Sequence, residues 1–507
     1  MRTKLSFYNA SSAILLQIVN MLVALTLPNI IITEYGSAVN GLVNSIRQFI
    51  QYLSVVEGGL AFAAIYALYK PLAEKDQKSI NGILAGSDRL YNKSGLLLSI
   101  LIVVGAFLYP VFTDGEGISP LTMALLVIII GTQGALEFFA IGKYKVLLTA
   151  DQKSYVISII NAFASILNAA IIIILVKMHI NIVLVWLFAL TSFIVRAALY
   201  ALYSRKRYSE LSFNAEPNMK ALDKRWDSLI LQILGAVTTG TPILIITFVC
   251  GLKESSVYTV YNMVFVGVMS ILSTFNNGLS AVFGDMLAKK ETEPFQRAYK
   301  QYEFIYYALL GWAYSCAAIL IMPFIGIYTQ AFTDVVYYRP LVAALFVLNG
   351  VLYNTKTPQG MLVLSAGLYK ETKIQTLIQA IINIAVSLAL APSLGIVGVL
   401  IGSVIANIYR TIDLAIFIPR VLTKLPVRMT VFRMIRMFVL MAISILPIKW
   451  VTINATSYVE WVIWAVLVAI WCFIVFALGN IIIEKHTTKD VLERLKYSFV
   501  RRKKSNV

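Results

Sequence analysis

Long uninterrupted apolar stretches are the feature that most restricts how this chain can fold. Of its 507 residues, 59% are hydrophobic and only 13% are charged, whereas about a quarter of a soluble domain is charged. Each stretch approaches the roughly 20 residues that a helix needs to cross the hydrocarbon core. Lipid offers the backbone no hydrogen bonds, so only helices or closed barrels can span it. Continuous rather than alternating apolar runs indicate helices, and the sequence therefore predicts an all-α polytopic membrane protein.

About fourteen apolar segments follow one another with short connections, which predicts an even number of spans. With both termini in the cytoplasm, the outer connections carry only four of the 43 lysines and arginines. This is the bias that cytoplasmic loops show, and it explains the net charge of +18 without a nucleic-acid partner. The four outer cations are Lys177, Lys253, Arg339 and Lys449. The segments begin near Ser12, Val43, Tyr91, Ser119, Ser154, Ile182, Ser228, Val257, Glu303, Arg339, Ile374, Ile396, Met434 and Glu460.

The longest basic connection divides the chain into two halves of six predicted helices. The first half occupies residues 1–204, a cytoplasmic connection follows at 205–227, and the second half occupies 228–421. Two further helices and a basic tail fill residues 422–507. An even number of spans in each half makes the repeat parallel, with its pseudo-two-fold axis along the membrane normal. Transporters built this way place the substrate site at the repeat interface and rock one half against the other.

Short matches between the halves support the repeat. Gly59-Leu60 in the second span corresponds to Gly278-Leu279 in the eighth. Leu148-Thr149-Ala150 after the fourth span corresponds to Leu364-Ser365-Ala366 after the tenth. Both pairs lead into charged cytoplasmic connections, so the equivalent spans are predicted to occupy equivalent places in the two halves.

Several spans carry polar residues along one helical face. A single such residue more often bonds a neighbouring helix, whereas the aligned stripes together favour a polar cavity. In the second span the stripe consists of Asn40, Asn44, Arg47, Gln51 and Ser54. In the eighth it consists of Thr259, Asn262, Ser270, Ser273 and Asn277, and in the tenth of Asn349, Tyr353, Lys356 and Gly360.

Charged residues inside spans are the sharpest functional candidates, because a mid-bilayer charge costs about 2.5–3.5 kcal/mol on insertion scales. Lys356 and Glu57 lie nearest mid-span, and Lys356 has no carboxylate three or four residues away. Its partner is therefore predicted to come from another helix or from a ligand. Arg47 either faces the cavity or extends to the outer surface. Glu137 either binds a coupling ion or pairs with a nearby lysine.

The remaining charges and the cysteines and histidines suggest simpler roles. Arg196 is predicted to extend towards the cytoplasmic surface, and Arg410 is predicted to pair with Asp413 at i, i+3. The cysteines lie in apolar stretches and the two histidines are far apart, so no metal site, cofactor or histidine-based catalysis is expected. These residues are Cys250, Cys316, Cys472, His179 and His486.

Three segments carry a resemblance to a known family. They are Glu34 to Asp76, Leu147 to Ala162 (LLTADQKSYVISIINA) and Asn276 to Glu291 (NNGLSAVFGDMLAKKE). The sequence resembles the Wzx-type polysaccharide repeat-unit flippases of the multidrug/oligosaccharidyl-lipid/polysaccharide superfamily, and the likeness extends over essentially the whole chain. It implies a MATE-like arrangement of six, six and two helices in a bacterial inner membrane, with both termini cytoplasmic.

The resemblance also implies an activity. Such proteins move undecaprenyl-diphosphate-linked oligosaccharide to the outer leaflet by alternating access, alongside a polysaccharide polymerase and glycosyltransferases, with H⁺ or Na⁺ coupling proposed for some. The predicted substrate-binding residues are Arg47 and Lys356 for the diphosphate or acidic sugars, and Asn44, Gln51, Asn349 and Asn354 for sugar hydroxyls. The predicted ion-coupling carboxylates are Glu57 and Glu137.

Three alternatives remain. A cation-coupled drug exporter often has a buried acid in its first span, but Ser12–Ile32 has none. A peptidoglycan-precursor flippase also has fourteen spans, but several arginines are expected in its first two and only Arg47 lies there. A membrane glycan polymerase or ligase needs a large outer loop, whereas Thr33–Gly41 and the loop around Asp114 are short. The prediction is therefore a transporter and not an enzyme.

Overall fold

Helices account for all the regular structure in the part of the chain that the structure describes. The computed structural model describes residues 2–208, 210–213, 215–219, 222, 240–276, 279–447, 453, 455–491 and 493. The prediction of an all-α fold is confirmed. The start of the seventh span near Ser228 and most of the predicted connection 205–227 lie outside the described residues.

The first part of the chain contains nine helices among the described residues. A π-helical turn at Glu137–Ile141 joins α5 to α6, and a second one at Ile246–Cys250 ends α9. The helices are α1 (Arg2–Tyr35), α2 (Ser37–Leu53), α3 (Val55–Glu74), α4 (Gln77–Phe112), α5 (Pro120–Leu136), α6 (Gly142–Ala150), α7 (Ser154–Lys177), α8 (Ile182–Arg207) and α9 (Gly240–Cys250).

The later part contains nine more described helices, and a π-helical turn at Pro419–Thr423 extends α16. The helices are α10 (Leu252–Asn276), α11 (Leu279–Ala288), α12 (Thr292–Tyr328), α13 (Pro340–Thr355), α14 (Thr357–Ala366), α15 (Tyr369–Leu394), α16 (Ile396–Ile418), α17 (Val427–Ile445) and α18 (Tyr458–Ile483).

Within the described ranges, ten helical stretches are long and apolar enough to cross a membrane. The other predicted spans fall short for identifiable reasons. The second is divided into α2, of 17 residues, and α3, of 20 residues. The tenth is divided into α13 and α14, of 16 and 10 residues, and both pieces are short. The thirteenth, α17, carries three arginines. The seventh is described only from Gly240 onward.

The chain forms two compact units. Unit 1 consists of Met1–Val260 with Ala331–Val335, and unit 2 consists of Tyr261–Gln330 with Val336–Val507. The division falls inside α10. The domain limits drawn from the repeat, 1–204, 205–227, 228–421 and 422–507, remain predictions.

Close helix packing builds the core of each unit. In unit 1, α1 packs on α7, α4 on α5, and α7 on α8. Gly131 permits the α4–α5 approach, because an added Cβ would lie 2.5 Å from the Ile102 side chain. In unit 2, α15 packs on α16, and α12 packs on α13, α17 and α18. Helices α17 and α18 therefore both pack on α12.

The break between α13 and α14 has a local cause. Pro358 occupies the first turn of α14. Proline has no N–H to bond the carbonyl of Asn354, and its ring clashes with that carbonyl. Helix α13 therefore ends at Thr355, and Lys356 lies between the two helices with φ −82° and ψ −4°. Pro358 is visible in the sequence. The helix break that it causes places Lys356 at an interruption of the tenth predicted span.

Candidate functional site

The Nζ of Lys356, in unit 2, directly contacts two neutral groups. Its Nζ donates a hydrogen bond to Oδ1 of Asn407 on α16. The same Nζ lies 4.7 Å from the centre of the Tyr353 ring. Among the described residues, no carboxylate lies within ion-pair distance of Lys356. The prediction that its partner comes from another helix is confirmed, and that partner is an amide rather than an acid.

Asn407 connects three helices around this lysine. Its Oδ1 also accepts a bond from Nε2 of Gln379 at 3.2 Å, and its Nδ2 donates to Oδ1 of Asn349 at 2.8 Å. Asn407 is 5% exposed. An amide orients an ammonium group without neutralising it, because the amide carries no net charge. The arrangement therefore places one lysine side chain, without a paired acid in the described part of the chain, at the break between α13 and α14.

Asn354 belongs to a neighbouring but separate set of contacts. Its Nδ2 donates to the Tyr314 hydroxyl at 3.0 Å and to the backbone oxygen of Gly350 at 2.9 Å. Asn354 is buried. Both of its donor contacts are therefore to the protein, whereas Asn349 and Lys356 share the Asn407 cluster.

A buried carboxylate lies on the other side of the helix break. Gln359, one turn beyond Lys356, donates from Nε2 to Oε1 of Glu303 and to the hydroxyl of Tyr307, each at 3.1 Å. Tyr307 in turn donates to the backbone oxygen of Thr355 at 3.1 Å. These bonds connect the end of α13 and the start of α14 to α12.

The last two helices complete this network. Arg433 on α17 donates to Oε2 of Glu303 at 3.0 Å and to Oε1 of Glu484 at 2.7 Å, and Arg436 also pairs with Glu484. Burial alone raises the pKa of Glu484, but hydrogen bonds and attraction from the two arginines bring that pKa below its usual value. Both arginines are buried and paired.

In unit 1, Arg47 also lacks an acidic partner within the described ranges. Its guanidinium carbon lies 4.7 Å from the centre of the buried Trp186 ring, and the side chain is exposed. Asn44 donates to the backbone and side-chain oxygens of Asn40, at 2.9 and 3.1 Å. Gln51 is exposed on the same helix. Three predicted site residues therefore lie on α2, with the exposed cation near its middle.

The polar stripes make two kinds of hydrogen bond, and the polar cavity stays a prediction. Asn40 donates to Ser256 on α10 at 2.7 Å, which is a bond between helices. Thr259 and Ser270 bond the backbone of their own helix, to the oxygens of Ser255 and Val266. Some hydroxyl groups on the polar face of α10 thus find their hydrogen-bond acceptors within the same helix.

Glu137 forms ion pairs with two cations. Lys145 approaches its carboxylate at 2.7 Å, and Arg196 on α8 pairs with its other oxygen. The predicted lysine partner is therefore present, and the ion-coupling role of Glu137 stays a prediction. The prediction that Arg196 extends to the membrane surface is wrong, because this ion pair holds it. The Arg410–Asp413 pair is present as predicted. Glu57 lies in α3, and its side chain is outside the described part.

Comparison with known proteins identifies the fold. No protein-family model matches the chain, and no curated protein matches it. A solved inward-facing multidrug resistance MATE family transporter of the MOP superfamily has a TM-score of 0.63 at 13% identity, covering 84% of this chain and 98% of that one. The lipid II flippase MurJ in an inward closed conformation has a TM-score of 0.63 at 15% identity, covering 92% and 98%.

A third solved structure is a MOP superfamily transporter from Pyrococcus furiosus, whose binding pocket is described as having reverse polarity. It has a TM-score of 0.57 at 14% identity and covers 86% of this chain and 96% of its own length. The chain therefore has the MATE-like fold that membrane transporters and flippases share. This agrees with the predicted MATE-like architecture.

Proposed function

We propose that this protein is a flippase for an anionic lipid-linked substrate. The proposed substrate is an undecaprenyl-diphosphate-linked oligosaccharide, moved from the cytoplasmic to the outer leaflet of a bacterial inner membrane for cell-surface polysaccharide synthesis. The observation that carries the proposal is Lys356, an intramembrane cation whose anchor, Asn407, is neutral.

The charge of Lys356 gives the proposal its physical basis. A cation inside a membrane protein usually has an acidic partner or faces a water-filled path. Here the described neighbours supply an amide oxygen and an aromatic ring. A diphosphate would supply the missing negative charge during transport. Arg47 beside Trp186 offers a second such cation, and arginine matches phosphate oxygens in geometry as well as charge.

Amide groups near these cations suit the sugar part of the substrate. In this proposal Asn349 contacts sugar hydroxyls from the Asn407 cluster, while Asn44 and Gln51 do so from α2. Asn354 would contribute only by exchanging its bond to Tyr314 for one to the sugar. Each amide offers both donors and acceptors, which match the hydroxyl groups of an oligosaccharide.

Ion coupling in this proposal would involve Glu57 and Glu137. Glu137 would accept H⁺ or Na⁺ when it releases Lys145 or Arg196. A polysaccharide polymerase and glycosyltransferases would act before or after the flippase on the same lipid-linked substrate. The positive-inside bias supports cytoplasmic termini.

Two other transport functions have support from the structural comparison. Multidrug transporters share the fold, but a cationic drug would be repelled by Lys356. Lipid II flippase shares it over 92% of this chain. A lipid II substrate would carry the same diphosphate. The attached glycan is therefore what distinguishes lipid II from the proposed substrate.

The test is a flipping assay in proteoliposomes with undecaprenyl-diphosphate-linked oligosaccharide, scored by acquired outer accessibility of the sugar. Parallel vesicles contain lipid II or a cationic dye, with and without an imposed pH or sodium gradient. Protein-dependent movement of the oligosaccharide lipid supports the proposal. Movement of lipid II alone assigns the peptidoglycan function, and movement of the dye alone assigns drug export.

Variants of Lys356 connect the assay to the site. Lys356→Met removes the charge and is expected to reduce transport at least about tenfold, because one charge-assisted contact contributes about 1.5–3 kcal/mol. Lys356→Arg keeps the charge and should recover part of the activity. The control is Lys289→Met, which removes an exposed lysine paired with Asp285. Normal transport by Lys356→Met would eliminate the assigned role.

A further inference from the structure

A cavity unrelated to the candidate site opens beside α4 in unit 1. Its volume is about 450 Å³, and its polar lining includes Asp88, Arg89, Asn92 and Lys93. Phe213, from the connection after α8, closes one side. The cavity therefore lies between a membrane-spanning helix and the described part of a connection that is predicted to be cytoplasmic.

Two glycines allow the wall of this cavity to form. The backbone N–H of Asn218 donates to the oxygen of Gly82 at 2.9 Å. An added Cβ on Gly82 would lie 3.2 Å from the oxygen of Glu216, and one on Gly86 would lie 3.3 Å from the oxygen of Asn218. Larger residues would push the connection away from α4, so these contacts hold the two walls together.

The cavity carries an uncompensated positive charge. Its acid, Asp88, pairs with Lys143 at 2.8 Å, and Lys143 also lies 4.5 Å from the centre of the Phe213 ring. Arg89 and Lys93 are exposed, one helical turn apart, and have no acidic partner in the described portion of the chain. Two cations are therefore available to one anionic ligand.

An apolar track begins at the edge of the same cavity. Leu96 lines the cavity and is 60% exposed. Ile100, Val103 and Phe107 follow at steps of four, three and four, and all are exposed. Residues at this spacing form one face of a helix. A ligand with a charged head in the cavity could therefore place hydrocarbon along α4.

We propose that this cavity binds the headgroup of an anionic phospholipid of the cytoplasmic leaflet, with its acyl chains along the Leu96–Phe107 track. Basic pockets beside membrane helices on the cytoplasmic side bind anionic lipid headgroups. The apolar track favours a phospholipid over a soluble phosphate. Asn92 adds a side chain that can bond a phosphate or glycerol oxygen.

Binding of fluorescent phosphatidylglycerol to the purified full-length chain tests the proposal. Arg89→Gln/Lys93→Gln is compared with Lys70→Gln/Lys78→Gln, which removes two exposed lysines of the same predicted side that do not line the cavity. The first double variant should bind about 30-fold more weakly, from the usual contribution of each basic residue near a lipid surface. The control should change affinity less than about threefold.

Further probes distinguish the sources of the anion. Glycerol phosphate should compete poorly, phosphatidylcholine should bind more weakly than phosphatidylglycerol, and a photoreactive phosphatidylglycerol should label peptides that contain residues 85–107 of the wild-type chain. The labelling does not depend on a variant folding. Equal loss in both double variants, equal binding of phosphatidylcholine, strong competition by glycerol phosphate, or labelling elsewhere would each overturn the proposal. Preferential labelling of this track by a polyprenyl phosphate would overturn the phospholipid assignment.

Discussion

Glu303 and Arg433 form a buried ion pair with Oε2 and Nη1 3.0 Å apart, and their side chains are 0% and 2% exposed. Glu303 lies on α12, and Arg433 lies on α17, the first of the last two described long helices. Glu303 also accepts a bond from Gln359, just beyond the break that carries Lys356. The ion pair therefore connects the final helices to the segment on which the proposed substrate cation lies.

Removing Arg433 should strongly destabilise the protein. Arg433→Met leaves Glu303 as a buried charge without its cation, which typically costs about 3–5 kcal/mol. Thermal unfolding in detergent should show a clearly lower midpoint than that of Arg420→Met, which changes an exposed arginine. Adding Glu303→Gln should recover part of the loss. An unchanged midpoint in Arg433→Met would contradict the importance of this ion pair.

Placing an acid beside Lys356 should reduce transport without unfolding the protein. Asn407→Asp keeps the shape of the side chain and supplies a carboxylate that neutralises the cation, so the substrate diphosphate loses its attraction. The flipping rate should fall at least about tenfold, from the strength of a charge-assisted contact. Asn407→Ser removes the amide without adding charge and should retain more activity. If the aspartate variant transported normally, the charge of Lys356 would not contact substrate.

Restoring the helix at the α13–α14 break should also affect transport. Pro358→Ala returns an N–H that can bond the carbonyl of Asn354, which favours a continuous helix and shifts Lys356 from Asn407. The thermal midpoint should stay the same or rise while flipping slows several-fold. Pro340→Ala is the matched control, because Pro340 begins α13, where no bond within the helix is lost. Equal activity of the two variants would show that the break is unimportant for transport.

The connection between α4 and α5 should introduce a pH dependence of stability. Burial raises the pKa of Glu116, although the backbone N–H of Lys253 donates to its carboxylate at 3.0 Å; Asp114 nearby raises it slightly further. A raised folded-state pKa means that the contribution of Glu116 is fully present below its unfolded pKa and is lost as pH rises through its folded pKa.

Glu116→Gln imitates the protonated carboxyl group at every pH. Its thermal midpoint should therefore exceed that of the wild type at pH 7 and approach it near pH 4. Asp285→Asn, which changes an exposed acid on α11, is the comparison. A midpoint for Glu116→Gln below that of the wild type at pH 7 would show that the charged form stabilises this connection.

The spans, their predicted orientation and the local Arg410–Asp413 pair follow from the sequence. Lengths of apolar runs, loop charge and helical spacing are local properties, and each can be measured along the chain without knowing how helices pack. The absence of a carboxylate three or four residues from Lys356 is also a local property of the sequence. The break before Pro358 could also have been predicted from the missing N–H.

Partners on other helices required the tertiary structure. Asn407 lies 51 residues from Lys356, Arg433 lies 130 residues from Glu303, and Arg196 lies 59 residues from Glu137. Helical periodicity determines which residues share a face, but it does not determine which faces meet. That choice depends on side-chain packing along whole helices. Here it places three cations that are far from their partners in sequence in one amide-anchored site and two ion-pair clusters.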